Sequence, residues 1–217
     1  MKLEKYQQYS RIARGLELAE LVLKDAKIVN VFTEEIIRGD IAIQDGMIVG
    51  IGSFHGEEER NLSGKYVCPG FIDSHLHLES TLVTPAELVT VASRHGTTTF
   101  IVDPHESANV SGLAGIDYIL DQTENVKANV YVMMPSCVPA TGIDDNGCTL
   151  TAEDMSSYLN NRRILGLGEV MDSVSVVQGE KGMHDKLELF EGRIRDGHAP
   201  FLEEGDLQAY ARNCHRS

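Results

Sequence analysis

Apolar, strand-forming runs begin near Val67, Thr97, Ala128, Arg163 and Ile194, at spacings of 30, 31, 35 and 31 residues. Helical stretches lie between them, around Pro85–Arg94, Leu113–Glu124, Ala152–Asn160 and Asp185–Glu191. Strand, helix and strand repeated at this length make a parallel sheet, because a right-handed helical crossover sets each strand beside the last. The regular period favours a (β/α) barrel over a doubly wound sheet, although period alone does not separate the two. A closed barrel of eight strands takes about 250 residues, and the 217-residue chain leaves about 150 after Tyr66. Five βα units fit. The expectation is therefore α/β: a partial (β/α)8 barrel over residues 66–217, with the chain an N-terminal piece of something longer. An open piece has two unpaired edges, which favour self-association into a homo-oligomer.

The first 65 residues follow another pattern. Tyr6, Tyr9, Ile12, Ala13, Leu16 and Ala19 recur at helical spacing, which predicts an amphipathic helix over residues 5–22. Strand-like runs follow at Ala26–Phe32, Ile36–Ile43 and Met47–Ile51, with a hairpin turn at Asp45-Gly46. The charged run Glu57–Arg60 and the following Asn61–Gly64 read as loop. Residues 1–65 are expected to form a small, mostly β element behind a leading helix.

Charge and composition narrow the function. The net charge of −14 disfavours nucleic-acid backbones and anionic membranes, both of which call for clustered Lys and Arg. An uncharged nucleobase is not excluded. The N-terminus has no apolar signal core, and no run approaches the roughly 18 apolar residues of a membrane span. Cys68, Cys137, Cys148 and Cys214 are scattered without CxxC spacing, as in a reduced, cytoplasmic protein.

The chemistry concentrates in Pro69-Gly70-Phe71-Ile72-Asp73-Ser74-His75-Leu76-His77-Leu78-Glu79-Ser80. Residues two apart on a strand share a face, so Asp73, His75 and His77 point one way and Ile72, Leu76 and Leu78 the other. Two imidazoles so placed at a strand end can share one cation; alone, they could equally be surface histidines on an amphipathic strand. Their context decides for metal. Asp103-Pro104-His105-Glu106, Gly168-Glu169 and Asp196-Gly197-His198 fall at the ends of later strands, on the face where barrel enzymes build their sites. His55 reads as solvated, His95 as a helix C-terminal cation, His184 as more structural than ligating, and Cys68 as a buried thiol.

The stretches PGFIDSHLHLESTLVTP, HGTTTFIVDPHESANVSGLAGIDYIL, LGLGEVM and DGHAP resemble, in order, motifs of the amidohydrolase superfamily, and within it the adenine deaminases. The resemblance runs from about Leu21 to Gln208. It implies a metal-dependent barrel, a small β-sandwich assembled from both chain ends, and hydrolysis of adenine to hypoxanthine and ammonia by a metal-activated water. It places His75 and His77 on the first of two divalent metals, Mn(II), Fe(II) or Zn(II), and His198 on the second. Glu169 would bridge them, where hydantoinase-like relatives use a carboxylated lysine. Glu169, His105 and Glu106 are the catalytic candidates, and Asp103 a structural one. The PCxxC part of the other zinc deaminase signature is absent. The family also has a later histidine in an S/T-D-H-E motif and a further aspartate. Here the chain reads Ala211-Arg212-Asn213-Cys214-His215-Arg216-Ser217, and His215, without those flanks, is taken as a tail residue. Turnover is then expected to need more than these residues. Dihydroorotase- or hydantoinase-like chemistry, and a non-catalytic metal-binding remnant, are the alternatives.

Overall fold

The structure, a computed structural model, describes residues 2–214. The chain divides into two compact units, Met1–Pro69 and Gly70–Ser217.

In the first unit, α1 (Leu3–Ala13) stops well short of the predicted end at Val22. Gly15 takes a left-handed φ of +72°, and the amides of Arg14, Gly15 and Leu16 turn back onto Ser10, Ile12 and Arg11 carbonyls. Glycine enters that conformation without a Cβ clash, so it ends the helix. Ala19, predicted helical, instead opens β1 (Ala19–Asn30). β2 (Glu35–Gln44) and β3 (Met47–Gly52) form the expected hairpin, with Asp45 and Gly46 both at positive φ. β4 (Gly56–Asn61) occupies the run read as loop from its charge. It pairs parallel to β1 at the sheet edge with exposed side chains, where charge is favoured because it discourages further strand addition. β5 (Tyr66–Val67) also pairs with β1, giving the order β3-β2-β1-β4 with β5 alongside. The run near Val67 therefore belongs to this sheet and is not the first barrel strand. Cys68, next to it, is exposed and not buried.

Ile12, Ala19, Val22, Ala42 and Phe54 form one apolar cluster of this unit, and Ala26, Ile28 and Ile41 another. Buried among these strands, Asp40 accepts from Lys24 Nζ at 2.6 Å and from the amides of Asp25 and Phe54 at 2.9 and 3.1 Å. Burial opposes its ionisation, but the lysine and the two amides outweigh it and lower its pKa. A pKa lower in the folded than in the unfolded state stabilises above about pH 4, and the contribution is lost as pH falls through the folded value. Asp40→Asn is expected to cost about 1.5–3 kcal/mol at pH 7 and to flatten the acid loss of stability. Denaturant titrations at pH 7 and pH 3 with parallel losses in both proteins would refute this.

The second unit alternates strands and helices. β6 (Phe71–Leu76) leads, then a 3-10 turn (Glu79–Thr81), α2 (Pro85–Ser93) and β7 (Thr97–Val102). α3 (His105–Ser111), α4 (Leu113–Gln122) and β8 (Asn129–Pro135) follow. α5 (Ala152–Ser156), capped by Thr151, runs into a second 3-10 turn (Ser157–Asn160) before β9 (Ile164–Val170). α6 (Ser173–Gln178), α7 (Lys181–Leu189), β10 (Ile194–Gly197) and α8 (Glu204–Cys214) complete it. The five strands are parallel and adjacent in sequence order, β10-β9-β8-β7-β6. This is the arrangement the period predicts for consecutive barrel strands. β8 and β9 are almost wholly buried, as strands covered on both faces must be. Their Val130, Val132, Met134, Ile164 and Leu167 pack with Phe100, Ile116, Ile119, Leu187 and Phe190. Along edge strand β6 and just past it the alternation holds in part: Leu78, two residues beyond the strand, is buried, but Ile72 within it is exposed. Among the described residues no helix is long and apolar enough to cross a membrane.

Candidate metal centre

Every residue singled out at the strand ends lies at the carboxyl end of the second unit's sheet. His75 is near the end of β6 and His77 just past it, His105 and Glu106 open α3 after β7, Glu169 is near the end of β9, and His198 follows β10. The sheet curls enough to bring its outermost strands together. His75 Nδ1 on β6 lies 3.2 Å from Asp196 Oδ2 on β10.

Glu169 is the hub. Its Oε1 is 3.0 Å from His75 Nε2 and 3.7 Å from His198 Nδ1; its Oε2 is 3.2 Å from His105 Nδ1 and 3.8 Å from His77 Nε2. The two Nε2 atoms of His75 and His77 face each other at 3.2 Å. Their outer nitrogens fix the tautomers. His77 Nδ1 donates to the Asp103 carbonyl at 2.8 Å, and His75 Nδ1 faces the Asp196 carboxylate. With the ring proton on Nδ1 in each, both Nε2 atoms present lone pairs, and the third member is a carboxylate. In that tautomer three acceptor atoms converge, a donor set that suits a cation. Ligands at about 2.1 Å from one ion lie roughly 3.0–3.4 Å apart at angles of 90–109°; the separations of 3.0 and 3.2 Å match this, and that between His77 Nε2 and Glu169, 3.8 Å, is wider. The donor set fits a divalent metal.

Two further groups have ligand atoms within 4.8 Å of one another: Asp103, His105 and Glu169, and His77, His105 and Glu106. The second would draw on His77 Nδ1, 3.7 Å from Glu106, which is already bonded to the Asp103 carbonyl. The first has a stronger claim. Asp103 is 1% exposed, and neither carboxylate oxygen makes a hydrogen bond, nor does buried His105 Nδ1 at 3.5 Å. Burial raises the Asp103 pKa. Burial also works against a charge on His105, but Asp103, Glu106 and Glu169 outweigh it and hold the imidazole at about 9. Gly168 makes this packing possible: a Cβ there would stand 2.1 Å from Asp103 Oδ2.

His198 reaches Glu169 but joins none of the three groups, and its side chain is 52% exposed. His215 lies outside the described residues. His184 bonds the Val176 carbonyl at 3.0 Å, away from the strand ends, and His95 is exposed. Sequence reasoning gave no role to Asp196 or Glu79. Glu79 is half-buried, and burial with the neighbouring Glu106 raises its pKa to about 7. Its position two residues after His77 was the available signal. A cleft of about 400 Å³, lined by His105, Glu106, Asn109, Cys137 and Asp144 among others, opens beside the cluster.

Comparison with known proteins agrees with this geometry. The Amidohydrolase family profile matches residues 66–212. The chain is 61% identical over 197 residues to an adenine deaminase of Desulfitobacterium hafniense, and 48% identical over 200 residues to one of Clostridium acetobutylicum. Each alignment takes in 91% of this chain and 35% of the relative, so the chain spans about a third of the length of these proteins. Among solved structures, the zinc complex of TrzN, an atrazine chlorohydrolase from Arthrobacter aurescens, is similar with a TM-score of 0.55 at 12% identity, over 89% of this chain and 64% of that one. N-acyl-D-glutamate deacylase from Bordetella bronchiseptica, with zinc and a phosphonate inhibitor, gives 0.54 at 16%, over 91% and 50%. At such identities the two structures speak for the fold alone. Profile, fold and the histidine–carboxylate cluster agree: the chain belongs to the amidohydrolase family.

Proposed function

We propose that the chain carries the first metal-binding part of a cytoplasmic adenine deaminase, which hydrolyses adenine to hypoxanthine and ammonia. The observation that carries this reading is the convergence of His75 Nε2, His77 Nε2 and the Glu169 carboxylate at the strand ends. The 61% identity to a named adenine deaminase supports adenine as the substrate. In this reading the first unit, Met1–Pro69, contributes to a composite β-sandwich and the second supplies the first five βα units of a barrel. His75 and His77 would hold one metal, His198 would serve a second, and the Glu169 carboxylate, within reach of both histidine groups, would be shared. Histidine and carboxylate donors suit Mn(II), Fe(II) or Zn(II). Exposed edges at β6 and β10 favour a homo-oligomer.

A bound divalent cation supplies Lewis acidity and brings the pKa of a water near neutrality. The chain supplies position and proton traffic. Asp103 holds His105 toward Glu169. Glu106 Oε2, 3.8 Å from His105 Nε2, stands at the cleft where a carboxylate can take a proton and return it to the departing amino nitrogen, so that ammonia leaves. The cleft beside His105 gives a planar base room.

A second reading rests on His198. Exposed and outside the close ligand groups, it leaves the second metal position less furnished than the first, as in a one-metal module without turnover. The Mn(II)-loaded chain, assayed for ammonia from adenine with metal stoichiometry on the same sample, separates the two. Turnover lost in His75→Ala supports the deaminase. One bound metal without ammonia supports the module, neither metal nor ammonia defeats both, and release from cyclic amides instead of adenine would move the substrate class.

A further inference from the structure

The end of β9 is held by side chains as well as by its sheet partners. β8 contributes its last pair at Pro135 opposite Gly168, and the pairing with β10 slips between Arg195 and Gly197 before closing with Gly197 opposite Val170. There the carbonyl of Glu169 accepts the Ser136 hydroxyl at 2.8 Å, and the carbonyl of Val170 accepts the Tyr210 phenol from α8. The same phenol oxygen accepts the backbone N–H of His198 at 2.8 Å. One oxygen thus ties the residue after Glu169 to the residue after β10. Gly197 makes the approach feasible, since a Cβ there would come within 3.1 Å of it.

We propose that Ser136 and Tyr210 are positioning residues of the metal centre, fixing the separation of Glu169 and His198 through the backbones that carry them. The inference rests on the ligand roles proposed above. Ser136 is 1% and Tyr210 4% exposed, so water does not replace either hydroxyl when it is removed. Ser136 is itself anchored: its carbonyl accepts Lys186 Nζ at 2.7 Å, and that amine is buried. A Phe at 210 would preserve the ring's packing while removing the hydrogen bonds that the phenol makes with the Val170 carbonyl and the His198 amide.

The test is Mn(II) titration of the full chain, with the electron paramagnetic resonance lineshape of bound Mn(II) as a second readout. Tyr210→Phe and Ser136→Ala are each expected to weaken binding by about 10- to 100-fold, as removal of groups that orient ligands does, and to broaden the lineshape. Ser136→Thr should recover affinity. Tyr158→Phe removes a hydroxyl bonded to Asp117 on the helical side and should leave affinity unchanged. Ser136→Ala keeps the question open to refutation if the tyrosine variant does not fold. Variants that melt earlier but bind Mn(II) with wild-type affinity and lineshape would overturn the inference alone. A wild-type chain that takes up no Mn(II) would overturn the proposed function, and the inference with it.

Discussion

Glu169→Gln is expected to reduce Mn(II) affinity by more than about 100-fold while leaving the metal-free fold as stable as before. Outer-sphere partners of a metal are worth about 10- to 100-fold, and a ligand within 3.0 Å of one histidine and 3.2 Å of another must exceed that. The side chain is nearly isosteric, so packing is retained. The metal-free fold keeps a partner at the same place, because a carboxamide N–H can donate to His75 Nε2, which the carboxylate now meets at 3.0 Å. Loss of the Glu169 charge also withdraws one of three carboxylates that raise the His105 pKa, so this imidazole should titrate lower than in the wild type. His75→Ala should lose metal to a similar extent without the compensating donor. Calorimetric Mn(II) titration with thermal melts of the metal-free proteins checks both halves; undiminished affinity in Glu169→Gln would remove this residue from the centre.

Gly168→Ala should damage fold and site together. The new Cβ would meet Asp103 Oδ2 at 2.1 Å and Met133 Cβ at 3.0 Å, distances no ordinary contact tolerates. Asp103 is buried and cannot swing into solvent, so either it turns away from His105 or β9 retreats with Glu169. Overpacking of this kind costs about 1–3 kcal/mol, and metal affinity should fall with it. Pairing the change with Asp103→Ala removes the obstructing atoms, so the double variant should recover stability relative to Gly168→Ala, a coupling that a double-mutant cycle measures. Strict additivity would mean that Asp103 is not what Gly168 makes room for. Gly166→Ala is the contrast. Its Cβ would stand 1.9 Å from the Ile194 carbonyl, backbone against backbone, and no second substitution of a side chain can relieve it.

Much of this was legible in the residues. Recurrent apolar runs predicted five parallel strands in order, and histidines and carboxylates at their ends predicted one cluster, because a parallel sheet puts all its strand ends on one side. The failures have physical causes. Leu16 and Ala19 continue a helical period, but periodicity carries no information about a left-handed Gly15 that breaks it. The charged run at residues 57–60 lacks apolar alternation, yet an edge strand needs only backbone partners. The run at Tyr66–Val67 has the apolar character of a barrel strand and was assigned to the wrong sheet, since pairing partners are not encoded locally. Within the site, the histidines and carboxylates that cluster were readable but the groups bonded to their backbones were not. Ser136 and Tyr210 bond backbone carbonyls through their hydroxyls, and nothing in residue type or spacing separates them from other serines and tyrosines.

The contact between His75 and Asp196 spans 121 positions of the chain, from the first strand of the parallel sheet to the fifth. Contacts of such separation form late, because the intervening chain must be ordered before its ends can meet. During synthesis β6 emerges early and holds its pair of histidines with nothing opposite them until β9 and β10 have followed. A cation held by the assembled cluster would therefore report that the sheet has been completed as far as β9, and the contact of Asp196 with His75 that it has curled.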